Sequence, residues 1–274
     1  MPITPRRLLA ALIALVLTAP ALAQETQTPA PEAAITEKAS VRVPVVGDVP
    51  LPRTLRGWTG HVEMGLNGAD GNSESFNVRA GAGATRKGEI WDAAAKFVYS
   101  RNTSGSDVTR NRFDANMRND FRLEKDSRWR IFATTAYEYD DFQDWQHRLS
   151  QGAGIGYAFI EDDRTTLIGR LGAGVTGELG RDDGDDWTPE LIVGVDLEHQ
   201  FTEHQKVFAT LDVLPSLENF TDYRLTAKAG YEIIVDPESG MALRLGVEDR
   251  YDSTVTGGKK RNDLEYFVLL AWNF

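Results

Sequence analysis

The stretch Arg110-Asn-Arg-Phe-Asp-Ala-Asn-Met-Arg-Asn-Asp-Phe-Arg-Leu-Glu124 decides the fold. Arg110, Arg112, Asp114, Asn116, Arg118, Asp120, Arg122 and Glu124 fall on one parity. Phe113, Ala115, Met117, Phe121 and Leu123 fall on the other, interrupted by Asn111 and Asn119. Successive side chains of a strand face opposite sides, so the pattern predicts a strand with one charged and one apolar face. The same residues admit a helix, because Phe113, Met117 and Phe121 recur every fourth position. The next segment removes the ambiguity. After a turn at Lys125-Asp126-Ser127-Arg128, the residues Trp129, Ile131, Ala133, Thr135, Tyr137 and Tyr139 alternate cleanly.

The alternation extends outward in both directions. Upstream it covers Trp58 to Leu66, Phe76 to Ala84 and Trp91 to Tyr99; downstream it covers Leu149 to Phe159, Leu167 to Val175, Leu191 to Leu197, Val207 to Val213, Tyr223 to Ile233, Met241 to Tyr251 and Leu264 to Phe274. Short polar turns are expected near Lys87-Gly88, Lys125-Asp126, Asp162-Asp163, Thr202-Glu203 and Asp236-Pro237. Longer loops are expected at 67–74, 101–109, 140–147, 178–187, 217–222 and 252–262. Short turns on one side and longer loops on the other are the habit of outer-membrane barrels. A soluble β-sandwich is the competing architecture. Segments of about 12 residues are long for sandwich strands and right for a tilted bilayer span. Aromatics also cluster at segment ends, with Trp58, Trp91, Trp129, Tyr157, Phe159, Trp272 and Phe274 at one end and Tyr99, Phe113, Tyr139 and Tyr251 at the other. Such girdles form where amphipathic rings meet headgroups. The expectation is an all-β, 12-stranded antiparallel transmembrane up-and-down β-barrel over residues 57–274, in a cell outer membrane. An even strand count places both strand termini on the periplasmic side, and the aromatic Phe274 resembles the signal by which a C-terminal strand engages the barrel-assembly machinery.

Ahead of the barrel, Arg6 and Arg7 precede an apolar core from Leu8 to Ala19, followed by Ala21-Leu22-Ala23. This predicts a signal peptide over 1–23, its core too short to span a bilayer. Residues 24–56 carry Pro29, Pro31, Pro44, Pro50 and Pro52 and show no sustained period. They read as a Pro-rich periplasmic linker without packed structure, a short plug inside a pore being the alternative. The 274 residues carry a net charge of −11 and no cysteine. That acidity excludes a nucleic-acid partner, which needs a basic surface. The absence of cysteine excludes a disulfide framework, a thiolate zinc site and a Cys nucleophile.

The inward parity is densely charged. The candidate lumen-lining residues are Arg79, Lys96, Arg110, Arg112, Asp114, Arg118, Asp120, Arg148, Arg170 and Arg244. Paired charges would fill and close such an interior, whereas a polar channel would use guanidinium forks to favour anions. Twelve strands lie between filled 8-stranded barrels and wide porins, so a narrow pore is sterically allowed. Catalysis needs a nucleophile beside a base. His147 and Ser150 fall on opposite faces, His61 lies beside Glu63 on the lumenal parity, and His199 and His204 fall at a rim. No catalytic, cofactor-binding or metal-binding residue is assigned. The acidic stretch 181–186 lacks EF-hand spacing and reads as a solvated loop, divalent-cation binding being the alternative.

Gly71-Asn72-Ser73-Glu74-Ser75-Phe76-Asn77, Tyr137-Glu138-Tyr139-Asp140-Asp141-Phe142, Arg148 and the Gly152, Gly154, Gly156, Tyr157 series together resemble the salt-induced outer-membrane proteins, a β-barrel domain family of unknown function in Gram-negative bacteria. The resemblance covers about Gly57 to Phe274 and implies an outer-membrane barrel with a link to osmotic conditions. It implies no reaction, ligand or catalytic residue. The expected partners are outer-membrane lipid and lipopolysaccharide, and small solutes or ions are the expected cargo of a narrow channel. A closed structural or stress-response barrel and a lipid-modifying enzyme are the alternatives.

Overall fold

The computed structural model describes residues 57–69, 75–181, 184–255 and 260–274. The expected signal peptide and linker lie outside the described residues. The strands are β1 (Trp58–Ala69), β2 (Ser75–Arg86), β3 (Trp91–Ser104), β4 (Asp107–Arg122), β5 (Trp129–Asp140), β6 (His147–Glu161), β7 (Thr165–Leu179), β8 (Asp186–Thr202), β9 (Gln205–Pro215), β10 (Tyr223–Asp236), β11 (Met241–Asp252) and β12 (Asn262–Asn273). Each pairs antiparallel with the next, and β12 returns to β1, closing a 12-stranded up-and-down barrel.

The ambiguous 110–124 segment is strand β4, and its two blemishes have partners. The Trp91 indole donates to Asn119 at 3.1 Å, and the Tyr99 hydroxyl donates to Asn111 at 3.1 Å. Each outward amide is thus satisfied by a neighbouring aromatic rather than left bare on an apolar face. One loop expectation is corrected. Residues 101–109 are not a long loop but the tip of the β3–β4 hairpin, registered out to Ser104↔Asp107. Gly105, with φ of 59°, supplies the left-handed residue that so tight a turn needs.

The outward face is an aliphatic belt between aromatic ends. Val62, Met64, Ile131, Ile155, Leu171 and Val193 are exposed. At the short-turn end, Trp91 stacks on Phe121, and Trp129, Tyr157 and Phe159 pack edge to face. At the opposite end, Phe113 meets Tyr137, Tyr139 meets His147, and Tyr223 stacks on Tyr251.

The interior is less uniformly polar than its sequence parity suggests. Phe132 and Leu269 are fully buried, and Ile192 and Phe267 nearly so. These side chains lie flat against glycines on neighbouring strands. A Cβ at Gly154 or Gly172 would meet the Phe132 ring at 2.8 Å, one at Gly246 would meet Phe267 at 2.4 Å, and one at Gly230 would meet Phe208 at 2.3 Å. Glycine on one strand is therefore the seat for a ring from the next, which thickens the wall without filling the axis.

Candidate functional site

Each basic residue among the lumen-lining candidates is held by carboxylates. In the half nearer the longer loops, Arg112 on β4 donates to Asp114 at 2.8 Å, to Asp140 at 3.4 Å and to Glu138. Arg148 on β6 donates to Glu178 at 3.0 Å and to Asp252 at 3.1 Å. Arg224 on β10 binds Glu190 at 2.7 Å and the Thr176 hydroxyl at 2.8 Å. Arg110 reaches Asp263 at 2.7 Å and Glu265 at 2.9 Å, and Arg79 shares that Glu265. In the half nearer the short turns, Arg118 binds Asp120 at 2.9 Å and Asp196 at 2.7 Å, and Arg170 binds Asp196 and Asp212 at 3.0 Å each. Arg244 binds Glu63 at 2.8 Å and Glu232, while Lys96 lies 3.6 Å from Glu63.

Burying a guanidinium is costly unless it is paired, so this interior is stable only because donors and acceptors match. Several pairs do more than match neighbours along one wall. Arg250 on β11 approaches Asp114 on β4 at 3.6 Å, Arg148 on β6 reaches Asp252 on β11, and Arg118 on β4 reaches Asp196 on β8. In the strand order these partners are separated by several strands, so the bridges cross the lumen. They narrow its section at more than one level.

Between the bridges a cavity of about 280 Å³ runs from the level of Trp145 and Arg261 down past Arg112, Arg148 and Arg224 to Arg170 and Asp212. A second, of about 310 Å³, lies beside it against Glu178, Asp186, Glu190 and Glu218. Trp145 lines both cavities. Though it belongs to the β5–β6 connection, it is 4% exposed and its ring lies 4.0 Å from the Arg148 guanidinium carbon. The connection is tied down by Gln146 N–H donating to Leu179 C=O at 3.1 Å. Sequence reasoning missed Trp145, since a loop residue carries no parity. It also missed Phe132, Phe208 and Phe267, whose only signal is the run of inward glycines on adjoining strands.

The histidines do not assemble a nucleophile. Ser150 faces inward and its hydroxyl pairs with Thr176 at 2.8 Å; His147 faces outward, its Nδ1 2.8 Å from the Tyr137 hydroxyl. His61 Nε2 lies 4.0 Å from Glu63 inside the barrel, and His199 Nδ1 meets the Thr165 hydroxyl at 2.9 Å at the rim. Among the described residues no group of three potential metal ligands converges. The possible cation site at 181–186 falls partly on residues 182 and 183, outside the described set.

The chain belongs to the family described as "Protein of unknown function, DUF481", whose model matches residues 62–274. No curated protein is matched. Among solved structures, the translocator domain of autotransporter NalP from Neisseria meningitidis is 15% identical, with 80% of this chain and 88% of that one covered and a TM-score of 0.47. The NanC porin is 8% identical, with 78% and 98% covered and a TM-score of 0.48. The KdgM porin is 9% identical, with 79% and 99% covered and a TM-score of 0.42.

Proposed function

We propose that the chain is an outer-membrane barrel that passes small hydrophilic solutes or ions through a narrow, charge-lined lumen. The observation that carries this reading is the continuous cavity from Trp145 through Arg112, Arg148 and Arg224 to Arg170 and Asp212. Guanidiniums presented along such a path favour carboxylate- and phosphate-bearing solutes. Membrane placement is supported by the exposed aliphatic belt and its two aromatic ends. Among the described residues no hydroxyl is set against an imidazole on the lumenal face, and no catalytic residue is assigned. The osmotic role implied by the resemblance to salt-induced outer-membrane proteins belongs to the same reading. Growth of a deletion strain across salt concentrations tests it.

A closed barrel is the second reading, favoured by the bridges that cross the lumen. Planar-bilayer recording of the refolded protein separates the two. The channel reading expects small steady unit currents that grow in Arg250→Ala, where the bridge to Asp114 is lost. A heat-modifiable, folded barrel that passes no current, in both wild type and Arg250→Ala, establishes the closed reading instead.

A further inference from the structure

The ladder that closes the barrel stops halfway up the wall. Gly60 and Phe274 exchange both backbone hydrogen bonds at 2.8 Å, and registered pairs run from His61↔Asn273 to Met64↔Leu270. Beyond that point β1 stays paired with β2 out to Ala69↔Ser75, and β12 stays paired with β11 out to Tyr251↔Asn262. At Gly65 the two backbones still approach, a Cβ there lying 2.7 Å from Val268 C=O, but residues 66–69 and 265–268 face each other with no registered pairs between them. By contrast, β6 and β7 are registered from His147↔Leu179 to Glu161↔Thr166. A cavity of about 490 Å³ sits at the gap, and its lining comes from both faces of the wall. Leu66, Leu264, Tyr266 and Val268 belong to the outward parity, Arg79, Arg110 and Glu265 to the inward one. Tyr266 is 85% exposed and Val268 64%, against 51% for Leu171 on the zipped wall.

Unladdered backbone is costly in hydrocarbon and tolerable where it opens onto a polar interior. The inner mouth of this gap is polar and densely charged. Arg79 and Arg110 share the Glu265 carboxylate, Arg110 also holds Asp263 at 2.7 Å, and Arg79 lies 3.5 Å from Glu248. Two guanidiniums against one carboxylate line the cavity itself. Arg79 is buried, and its Nε has no hydrogen-bond partner. Among the described residues the outer mouth presents Leu66, Leu264, Tyr266 and Val268 to the bilayer.

We propose that the open β1–β12 seam is a lateral binding site for a single-chain anionic amphiphile. Its carboxylate or phosphate head meets Arg79 and Arg110, and its alkyl chain passes between Leu66 and Val268 into the bilayer. The proposal rests on the membrane placement of the barrel and not on conduction, so a folded barrel without current leaves it standing.

Two measurements on the full barrel, folded in phosphatidylcholine vesicles and checked by its gel shift on boiling, test it. The chain has no cysteine, so Leu66→Cys with Val268→Cys reports on the seam alone. These positions would oppose each other if the register continued. A disulfide needs Cα atoms within about 7 Å. The open seam resists oxidation to a disulfide and accepts a longer bismaleimide; rapid, complete disulfide formation overturns the proposal. Next, dodecanoate and dodecyl phosphate should displace a bound dansyl-undecanoate, and the bismaleimide staple should abolish that displacement. Arg79→Gln and, separately, Arg110→Gln should weaken it roughly tenfold, the loss of about one charge-assisted hydrogen bond. Equal displacement by dodecyltrimethylammonium overturns the site as mere partitioning. Equal displacement by inorganic phosphate places the anion site in the lumen, independent of the seam.

Discussion

The β6–β7 wall and the β1–β12 seam are built from the same kind of strand and behave differently. In the wall, Gly152, Gly154 and Gly156 on β6 oppose Gly174, Gly172 and Arg170 on β7, and the pairing runs from His147↔Leu179 to Glu161↔Thr166 with one bulge between Ala158 and Ile160. The glycines bring the two backbones together and seat Phe132 and Ile192 from the strands on either side. At the seam only a short ladder forms, and the side chains beyond it, Leu66 and Tyr266, lie against a neighbouring strand on one side only. Apolar alternation alone therefore makes a strand but does not zip two strands together. Closure needs matched seats across the pair.

The comparison can be broken at several points. The largest expected effect is Gly154→Val. A Cβ there would lie 2.3 Å from Leu171 C=O and 2.8 Å from the Phe132 ring. It should cost about 3 kcal/mol in urea unfolding from vesicles, or abolish folding. A cost below about 1 kcal/mol would mean that the wall yields as easily as the seam. Next, Leu171→Arg, on the belt of the same wall, should cost about 2–4 kcal/mol, and the inward Thr226→Arg distinctly less. Equal costs would reverse the assignment of inside and outside. Smaller again, Leu66→Ala at the seam should cost under about 1 kcal/mol, because its side chain is already 59% exposed. In the same samples the amide of Leu66, which points toward β12, should exchange with deuterium faster than those of Gly172 and Gly174. Matching rates would show that the seam is laddered after all.

The smallest effect belongs to the β6–β7 turn. The backbone N–H groups of Arg164 and Thr165 donate to Asp162 at 2.9 and 2.7 Å and hold its carboxyl below the usual carboxylate range. A lowered pKa means that its contribution is complete above the usual value of about 4 and fades as pH falls through the lower folded one. Asp162→Asn should flatten that acid limb slightly and leave neutral-pH stability nearly unchanged. An unchanged acid limb would mean that the turn adds nothing to the wall.

The strands were legible in the sequence wherever one parity met lipid and the other did not. The reading failed at 101–109 because Thr103, Ser104 and Asp107 are polar on both parities once the hairpin rises past the belt. Inward charge was legible at Arg112 and Arg148, but their partners were not. Arg148 finds Asp252 only because closure brings β6 opposite β11, a relation that no local pattern encodes. The open seam was invisible for a related reason. The alternation of β1 and β12 continues unbroken past Met64 and Leu270, where their pairing ends.

The clasp between Gly60 and Phe274 also sets an order of events. All the other ladders join strands adjacent in sequence and can form as hairpins by local collapse. This one joins the two extremes of the barrel, so it alone carries the loop-closure entropy of the whole circuit. The Phe274 ring lies where a Cβ on Gly60 would be, 2.4 Å from its Cε2. The last contact to form is thus made by the least obstructive residue available. The rate at which the barrel becomes a barrel should be governed there, long after its hairpins have taken shape.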